Sequence, residues 1–423
     1  MEALKHELAS GDGEALRRFW RQVERTGTPL IERAEDDPEH RVVTFLWRDR
    51  GETESVLISA NKFTDSGVLE QSFMRRLDGT DVWHRSYRIR SDWRASYTLC
   101  PLRGKSEDRR PAWPPPELEE SVFSVVSPVH RPAMEEWWRH TAQAVPDPLN
   151  PRRVRFRLHE PTYSVVELPD APKQARRERR KDVARGNVTE HRFESNALGN
   201  GRRVWVYVPA EYRHESGPYT LAVLLDGDVW GEGMPVRPTL DNLIAEEKIP
   251  PLVAVMPEAL DTGTRSEELA CNERFLRFLA AELLPWATER WNVTGDPART
   301  IIAGQSFGGL TAAFAALRAP ERFGNVLSQS GSFWWMNGTE FDVGAEWLTR
   351  RYALAPKLPV RFYVEVGLQE WALLGPTRHF RDVLEAKDYV LDYAEYNGGH
   401  DALCWRGGIA DGLVSLCEMW NRS

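Results

Sequence analysis

One stretch constrains this chain more than any other. In Arg299-Thr300-Ile301-Ile302-Ala303-Gly304-Gln305-Ser306-Phe307-Gly308-Gly309-Leu310 an apolar run enters a Gly-x-Ser-x-Gly motif and leaves it as a helical pattern. A chain that reverses abruptly from strand into helix forces the residue at the bend into strained backbone angles, and only small neighbours avoid colliding with it. Gly304 and Gly308 are the residues expected to meet that demand. Such a turn holds the Ser306 hydroxyl out past the sheet and sets the Phe307 N–H in the first turn of a helix, where a developing oxyanion can rest. The motif also arises by chance in glycine-rich chains, so the flanks decide. Thr300-Ile301-Ile302-Ala303 has the length and apolarity of a buried strand, and Thr311-Ala312-Ala313-Phe314-Ala315-Ala316-Leu317 is made of strong helix formers. Ser306 is therefore the candidate nucleophile.

At 423 residues the chain exceeds what one core usually organises, which predicts two domains. Its formal net charge of -8 argues against nucleic acid or an anionic membrane as a partner, and any anionic ligand must find a local basic pocket. Met1 to Leu8 lacks the order of basic, apolar and small residues that marks a secretory signal, and no apolar run is long enough to span a bilayer. Cys100, Cys271, Cys404 and Cys417 show no Cys-x-x-Cys spacing, which fits a reducing compartment and speaks against a zinc site. The expectation is a cytoplasmic protein with no metal-ligand set and no cofactor; the oligomeric state is left open. The 17 tryptophans serve mainly as core, although indoles also line sites for flat aromatic ligands.

In chain order, residues 11–26 carry Leu16, Phe19, Trp20 and Val23 at helical spacing. Short β-branched or aromatic runs follow, Arg41 to Trp47, Ser55 to Ile58, Met74 to Leu77, Val82 to Ile89 and Arg94 to Leu99, separated by turn residues such as Asp78-Gly79. They predict an all-β, immunoglobulin-like sandwich over 1–151. The proline-rich Pro111 to Pro116 reads as a stiff connection. Residues 152–187, with the charged run Lys173 to Lys181, read as a solvated linker, since no apolar face is present to offset the entropy of ordering. From 188 to 423 the pattern alternates: paired strands at Thr189 to Phe193 and Arg203 to Pro209, buried-strand runs at Leu221 to Leu225 and Leu252 to Met256, helical residues from Glu268 to Trp291, the Ser306 strand, a strand at Val360 to Val366, a helix near Arg378 to Lys387 and a last strand at Leu391 to Tyr396. This order, ending in a histidine-bearing loop, is that of an α/β-hydrolase domain.

In that fold the catalytic residues follow the order serine, acid, histidine. His400 in Asn397-Gly398-Gly399-His400-Asp401 occupies the loop past the last strand and is the candidate base, whereas His379 lies within a helix and reads as a surface or packing residue. Glu370, in the loop after Val366, is preferred as the acid over Glu365 inside the strand and Asp401 beside the base. The second oxyanion donor should come from Leu225-Asp226-Gly227-Asp228, with the Asp228 N–H paired to that of Phe307.

Leu224-Leu225-Asp226-Gly227, Ala303 to Gly309, Val326-Leu327-Ser328-Gln329-Ser330-Gly331-Ser332-Phe333-Trp334-Trp335 and Gly398-Gly399-His400-Asp401-Ala402-Leu403-Cys404-Trp405-Arg406-Gly407-Gly408 together resemble the ferric enterochelin (enterobactin) esterase family. Thr44 to Arg48 and Asp147-Pro148-Leu149-Asn150-Pro151 extend the likeness to the first domain. The resemblance implies a cytoplasmic serine hydrolase that opens the tri-serine lactone of an imported ferric catecholate siderophore, iron entering with the substrate. It also implies Arg265 beside the ligand and raises Trp230, Trp334, Trp335 and Trp371 as substrate contacts, because an anionic tris-catecholate suits arginine and indole. Two other readings stand beside it: a feruloyl or other carboxylic-ester hydrolase with a carbohydrate-binding sandwich, and a hydrolase-like scaffold that binds the ferric siderophore without cutting it.

Overall fold

Alternating apolar residues in the first third of the chain build two antiparallel sheets. In this computed structural model, residues 1–51, 53–103, 131–158, 160–336 and 346–420 are described; the expected proline-rich connection lies outside them. Contacts divide the chain into one unit of Met1–Arg155, His159–Pro172 and Asn397–Asp401, and a second of Phe156–Leu158, Lys173–Tyr396 and Ala402–Ser423.

In the first unit, β1 (Leu30–Ala34), β2 (Asp37–Arg48), β4 (Arg75–Arg76) and β5 (Val82–Arg90) form one sheet in the order β1-β2-β5-β4. The strands β3 (Thr53–Ala60), β6 (Arg94–Arg103), β7 (Arg153–Val154) and β8 (Tyr163–Glu167) form the other, in the order β3-β6-β8-β7. Val43, Phe45 and Trp47 from one sheet meet Val56, Ile58, Tyr97 and Leu99 from the other in a shared core. The Phe45 and Tyr97 rings cross edge to face at 4.8 Å. The helix Ala15–Thr26 buries Trp20 and Val23 against Leu46 and Val82.

The stretch expected as a linker is ordered differently. Ser164, Val165 and Val166 are buried in β8, which pairs with β6, and Glu167 accepts from Arg94 at 2.8 Å. Prolines at 161 and 169 had masked so short a strand in the sequence. The charged run lies on the second unit because Glu246 offers a partner to Arg176 at 2.9 Å and to Arg180 at 3.1 Å.

The second unit is an eight-stranded sheet of β9 (Asn187–Ser195), β10 (Asn200–Val208), β11 (Thr220–Leu224), β12 (Leu252–Pro257), β13 (Thr300–Gln305), β14 (Asn325–Gln329), β15 (Arg361–Gly367) and β16 (Val390–Tyr396). Its order is β16-β15-β14-β13-β11-β12-β10-β9, parallel from β12 to β16 with β9 and β10 antiparallel at one edge. Every residue of β11, β12 and β13 is buried, which explains their continuous apolar runs. Chain order reverses between β11 and β13, and a crevice at the carboxyl ends of such neighbouring strands is where open α/β sheets bind ligands. Ser306 and the loop after β11 both emerge there.

Sequence reasoning had not identified β14. Asn325, Ser328 and Gln329 interrupt its apolar pattern, yet all are buried, and Asn325 Nδ2 alone reaches the carbonyls of Ala298 at 3.0 Å and Thr300 at 3.1 Å.

Candidate active site

Ser306 sits at φ 59°, ψ -122°, left-handed backbone that a side chain adopts only under strain. Its N–H donates to Gln329 O at 3.0 Å, its carbonyl accepts from Ser332 N at 3.1 Å, and its Oγ lies 3.4 Å from Ser332 Oγ. The helix Phe307–Arg318 starts at the next residue. A Cβ on Gly304 would fall 2.4 Å from the Gly308 carbonyl group, and one on Gly309 would fall 2.7 Å from Ser328 Oγ. At Gly308 the nearest atom would be Asp226 Oδ2 at an ordinary 3.5 Å. Close packing therefore requires Gly304 and Gly309, and the steric demand expected at Gly308 falls one residue later.

The loop after β11 is built as tightly. Asp226 has φ 60°, and a Cβ on Gly227 would lie 2.1 Å from Met256 O, so only glycine fits. The buried Asp226 carboxylate takes Arg265 Nε at 2.5 Å and Nη2 at 2.7 Å, and Arg157 Nη2 at 2.8 Å. Burial alone would push that carboxyl up, but the two guanidinium groups outweigh it and hold it below the usual range. Arg265 Nη2 also donates to Gln305 O at 3.2 Å. Arg265, expected beside the ligand, thus stands beside the elbow with its Nε and Nη2 bracing the loop. Arg157 was missed because it lies in the presumed linker. The Asp228 side chain turns to Ala259 N at 3.2 Å and Arg157 Nε at 2.6 Å, so any oxyanion contact from this residue is its backbone N–H.

Of the carboxylates considered, Glu370 lies past the carboxyl end of β15 and is fully buried. Its Oε1 accepts from Ser330 Oγ at 2.6 Å, Gly367 N at 2.8 Å and Tyr396 Oη at 2.9 Å. Trp405 Nε1 donates to the same Ser330 Oγ at 2.9 Å. Glu365 lies within β15, under the helix Ala402–Met419, where a Cβ on Gly408 would meet its Oε1 at 2.1 Å. Asp401 Oδ2 accepts Ser96 N at 2.5 Å, which turns it to the first unit's sheet. His379 pairs with Glu346 at the surface.

The loop carrying His400 groups with the first unit, whereas Ser306 and Glu370 belong to the second. Within that unit Asn61 Nδ2 donates to His400 O, Asn397 Nδ2 donates to Asp92 Oδ1 at 2.6 Å, and a Cβ on Gly399 would overlap Asn61 O.

Sequence reasoning also missed a buried polar chain under the elbow. Trp230 Nε1 donates to Gln305 Oε1 at 3.2 Å, Gln305 Nε2 to Gln329 Oε1 at 2.8 Å, and Gln329 Nε2 to Glu365 Oε1 at 2.6 Å. Trp230 is 2% exposed, so it supports the elbow from below and is not the mouth residue it was expected to be. Trp335 is likewise turned inward, its ring edge-on to Trp347 at 5.8 Å. Trp334 is 38% exposed with its ring 5.9 Å from Phe307, and Trp371 is 66% exposed at the start of the helix Trp371–Ala386.

Sheet order, strained elbow and braced loop define an α/β hydrolase of the esterase type, with an all-β domain ahead of it. The family described as "Enterochelin esterase, N-terminal" matches residues 42–177, and that described as "Putative esterase" matches residues 195–416. The chain belongs to the enterobactin esterase family and is a carboxylic ester hydrolase. It is 36% identical to the iron(III) enterobactin esterase of Dickeya dadantii (strain 3937), over 93% of this chain and 91% of the relative. The crystal structure of ferric enterobactin esterase from Salmonella typhimurium superposes with a TM-score of 0.78 at 34% identity, covering 96% of this chain and 100% of that one. The enterobactin esterase of Shigella flexneri, solved in the presence of enterobactin, gives 0.73 at 33% identity, covering 93% and 96%. Among the described residues no helix is long and apolar enough to cross a membrane.

Proposed function

We propose that this chain is a cytoplasmic serine esterase that hydrolyses the tri-serine lactone backbone of imported ferric catecholate siderophores of the enterobactin type. The observation that carries this reading is the strained Ser306 at the carboxyl end of β13, at the switch point of the sheet and on the first residue before a helix. Names of relatives supply the substrate class, since the Dickeya dadantii and Salmonella typhimurium proteins are iron(III) or ferric enterobactin esterases.

In this reading His400 takes the proton as Ser306 Oγ attacks an ester carbonyl, and Glu370 orients and stabilises the imidazolium. The backbone N–H groups of Phe307 and Asp228 hold the tetrahedral oxyanion. Collapse breaks the ester C–O bond, and His400 returns its proton to the leaving serine hydroxyl. Water, deprotonated by His400, then attacks the acyl-enzyme and frees Ser306. Exposed Trp334 is the proposed face for a catechol ring. Iron is cargo and needs no protein ligand or cofactor. The test is to incubate iron-loaded enterobactin with the protein and with Ser306→Ala and to resolve linear trimer, dimer and monomer. Products from the parent alone are expected. Equal products from both would remove Ser306 from the mechanism, and binding without products would make the chain a siderophore-binding scaffold.

A further inference from the structure

Two carboxylates flank Gly227 in the loop after β11, and one guanidinium stands between them. Arg157, on the short segment Phe156–Leu158 of the second unit, places Nη2 2.8 Å from Asp226 Oδ1 and Nε 2.6 Å from Asp228 Oδ2. The side chains are 25% exposed for Arg157, 4% for Asp226 and 16% for Asp228. In surroundings this dry, carboxylates one residue apart repel unless a cation separates them.

Arg265 holds a different pair of points. Its Nε and Nη2 take the two oxygens of Asp226, and Nη2 also reaches Gln305 O at 3.2 Å, on the residue before Ser306. The charges therefore run as one chain from Asp228 through Arg157, Asp226 and Arg265 to the elbow. Asp226 Oδ2 closes in on the elbow helix as well, 3.5 Å from where a Cβ on Gly308 would stand. The segment bearing Arg157 is seated on backbone: a Cβ on Gly233 would fall 1.8 Å from Phe156 O, at the end of the helical turn Val229–Gly233 that follows Asp228.

The two arginines differ in what their removal would release. Without Arg157, Asp226 keeps both contacts from Arg265 and stays beside the elbow. Asp228 would be left with the Ala259 N–H at 3.2 Å, facing the Asp226 charge across Gly227. A glycine on its N-terminal side gives the Asp228 peptide more rotational freedom than any other residue would, so its direction depends on the anchored side chain. An oxyanion donor must lie within about 2.7–3.1 Å of the developing charge, and a misplacement of about 1 Å can cost a hundredfold in rate.

We propose that Arg157 is a positioning residue of the oxyanion hole: by bridging Asp226 and Asp228 it aims the Asp228 N–H at the oxygen that the Phe307 N–H also holds. This rests on the esterase reading given above. The guanidinium fork is what the task needs, since two carboxylates must be met in fixed directions and a lysine ammonium offers a point charge.

The experiment compares the parent, Ser306→Ala, Arg157→Met and Arg157→Lys. Three quantities are read: steady-state hydrolysis of iron-loaded enterobactin, the rate of Ser306 phosphonylation by a fluorophosphonate, whose P=O oxygen enters the same hole, and the thermal midpoint. Arg157→Met is expected to lower kcat and the phosphonylation rate alike, by about tenfold to a hundredfold, with KM and the midpoint near the parent's. Millimolar guanidinium chloride should restore part of both rates where equal sodium chloride does not, and Arg157→Lys should fall in between. Rates within about twofold of the parent in both variants would overturn the proposal. A raised KM at unchanged kcat would make Arg157 a substrate contact instead, and a lowered midpoint with no guanidinium rescue would make it a structural brace; either overturns it. Turnover that persists in Ser306→Ala would sink the esterase reading and this inference with it, whereas an inactive Ser306→Ala beside a fully active Arg157→Met would sink the inference alone.

Discussion

Ser330 Oγ donates to Glu370 Oε1 at 2.6 Å, and that same oxygen also receives the Gly367 N–H and the Tyr396 hydroxyl. Three donors on one oxygen of a buried carboxylate fix its orientation, which is what a group that positions an imidazole must have.

Glu370→Gln is accordingly expected to lower kcat for ester hydrolysis by about a hundredfold or more, with KM little changed and the thermal midpoint close to the parent's. Glu365→Gln should leave kcat near the parent value, because Glu365 lies inside β15 and bonds to Gln329 and Tyr363. Steady-state kinetics on both variants decide the matter: a larger kcat loss for Glu365→Gln would transfer the acid's role to that residue.

The two glycines of the motif should respond unequally to alanine. At 304 the new methyl would meet the Gly308 carbonyl group at 2.4 Å, and that neighbour is backbone, which cannot swing aside as a flexible side chain could. At 308 it would rest 3.5 Å from Asp226 Oδ2, inside a helix where alanine is favoured. Gly304→Ala should cost about 2 kcal/mol or more and abolish activity, while Gly308→Ala should fold with near-parent stability. Urea melts of the pair check this, and similar losses at both sites would contradict the packing described.

Trp334 and Trp230 make a second contrast. Trp334 is partly exposed above Phe307, so Trp334→Ala should raise KM for a catecholate ester with little effect on the melt. Trp230 is buried and donates to Gln305, so Trp230→Ala should destabilise by about 3 kcal/mol through its cavity and the acceptor left behind. Reversed phenotypes would mean that the indoles have been assigned to the wrong sides of the elbow.

These contrasts show where the sequence was readable. The elbow could be found because an apolar strand, a turn needing small residues and an alanine-rich helix each leave their own pattern, and all three coincide at Ser306. The strands β11 and β12 followed from continuous apolar runs, buried throughout. What escaped was polar and interior. Asn325 and Gln329 interrupt the apolar pattern of β14, yet inside the sheet Asn325 reaches neighbouring carbonyls and Gln329 bonds to Gln305 and Glu365. A glutamine has the same letter whether solvated or buried, so the chain from Trp230 to Glu365 left no signal. Arg157, Arg176 and Arg180 were hidden for a related reason: charged residues near prolines resemble a solvated linker until Asp226 and Glu246 are seen to hold them.

Glu365 carries a pH dependence whose sign can be worked out. Burial pushes its carboxyl up to about 7, against hydrogen bonds from Gln329 and Tyr363 that favour the ionised form, and nearby Asp411 and Glu370 push further in the same direction as burial. The fold therefore holds the protonated acid more firmly than the unfolded chain does. Below the ordinary carboxylate range of about 4.5 both states are protonated and no penalty arises. As pH rises from there to about 7 the unfolded chain ionises and the folded one does not, so stability falls, by about 3 kcal/mol at most, and then stays level. Glu365→Gln cannot ionise and should lose this slope, becoming more stable than the parent at pH 8 while differing little at pH 4.5. Urea unfolding of both proteins across that range measures the effect. Parallel curves would show that Glu365 has an ordinary carboxyl pKa in the fold, and a parent that gains stability relative to the variant as pH rises would reverse the sign derived from its burial.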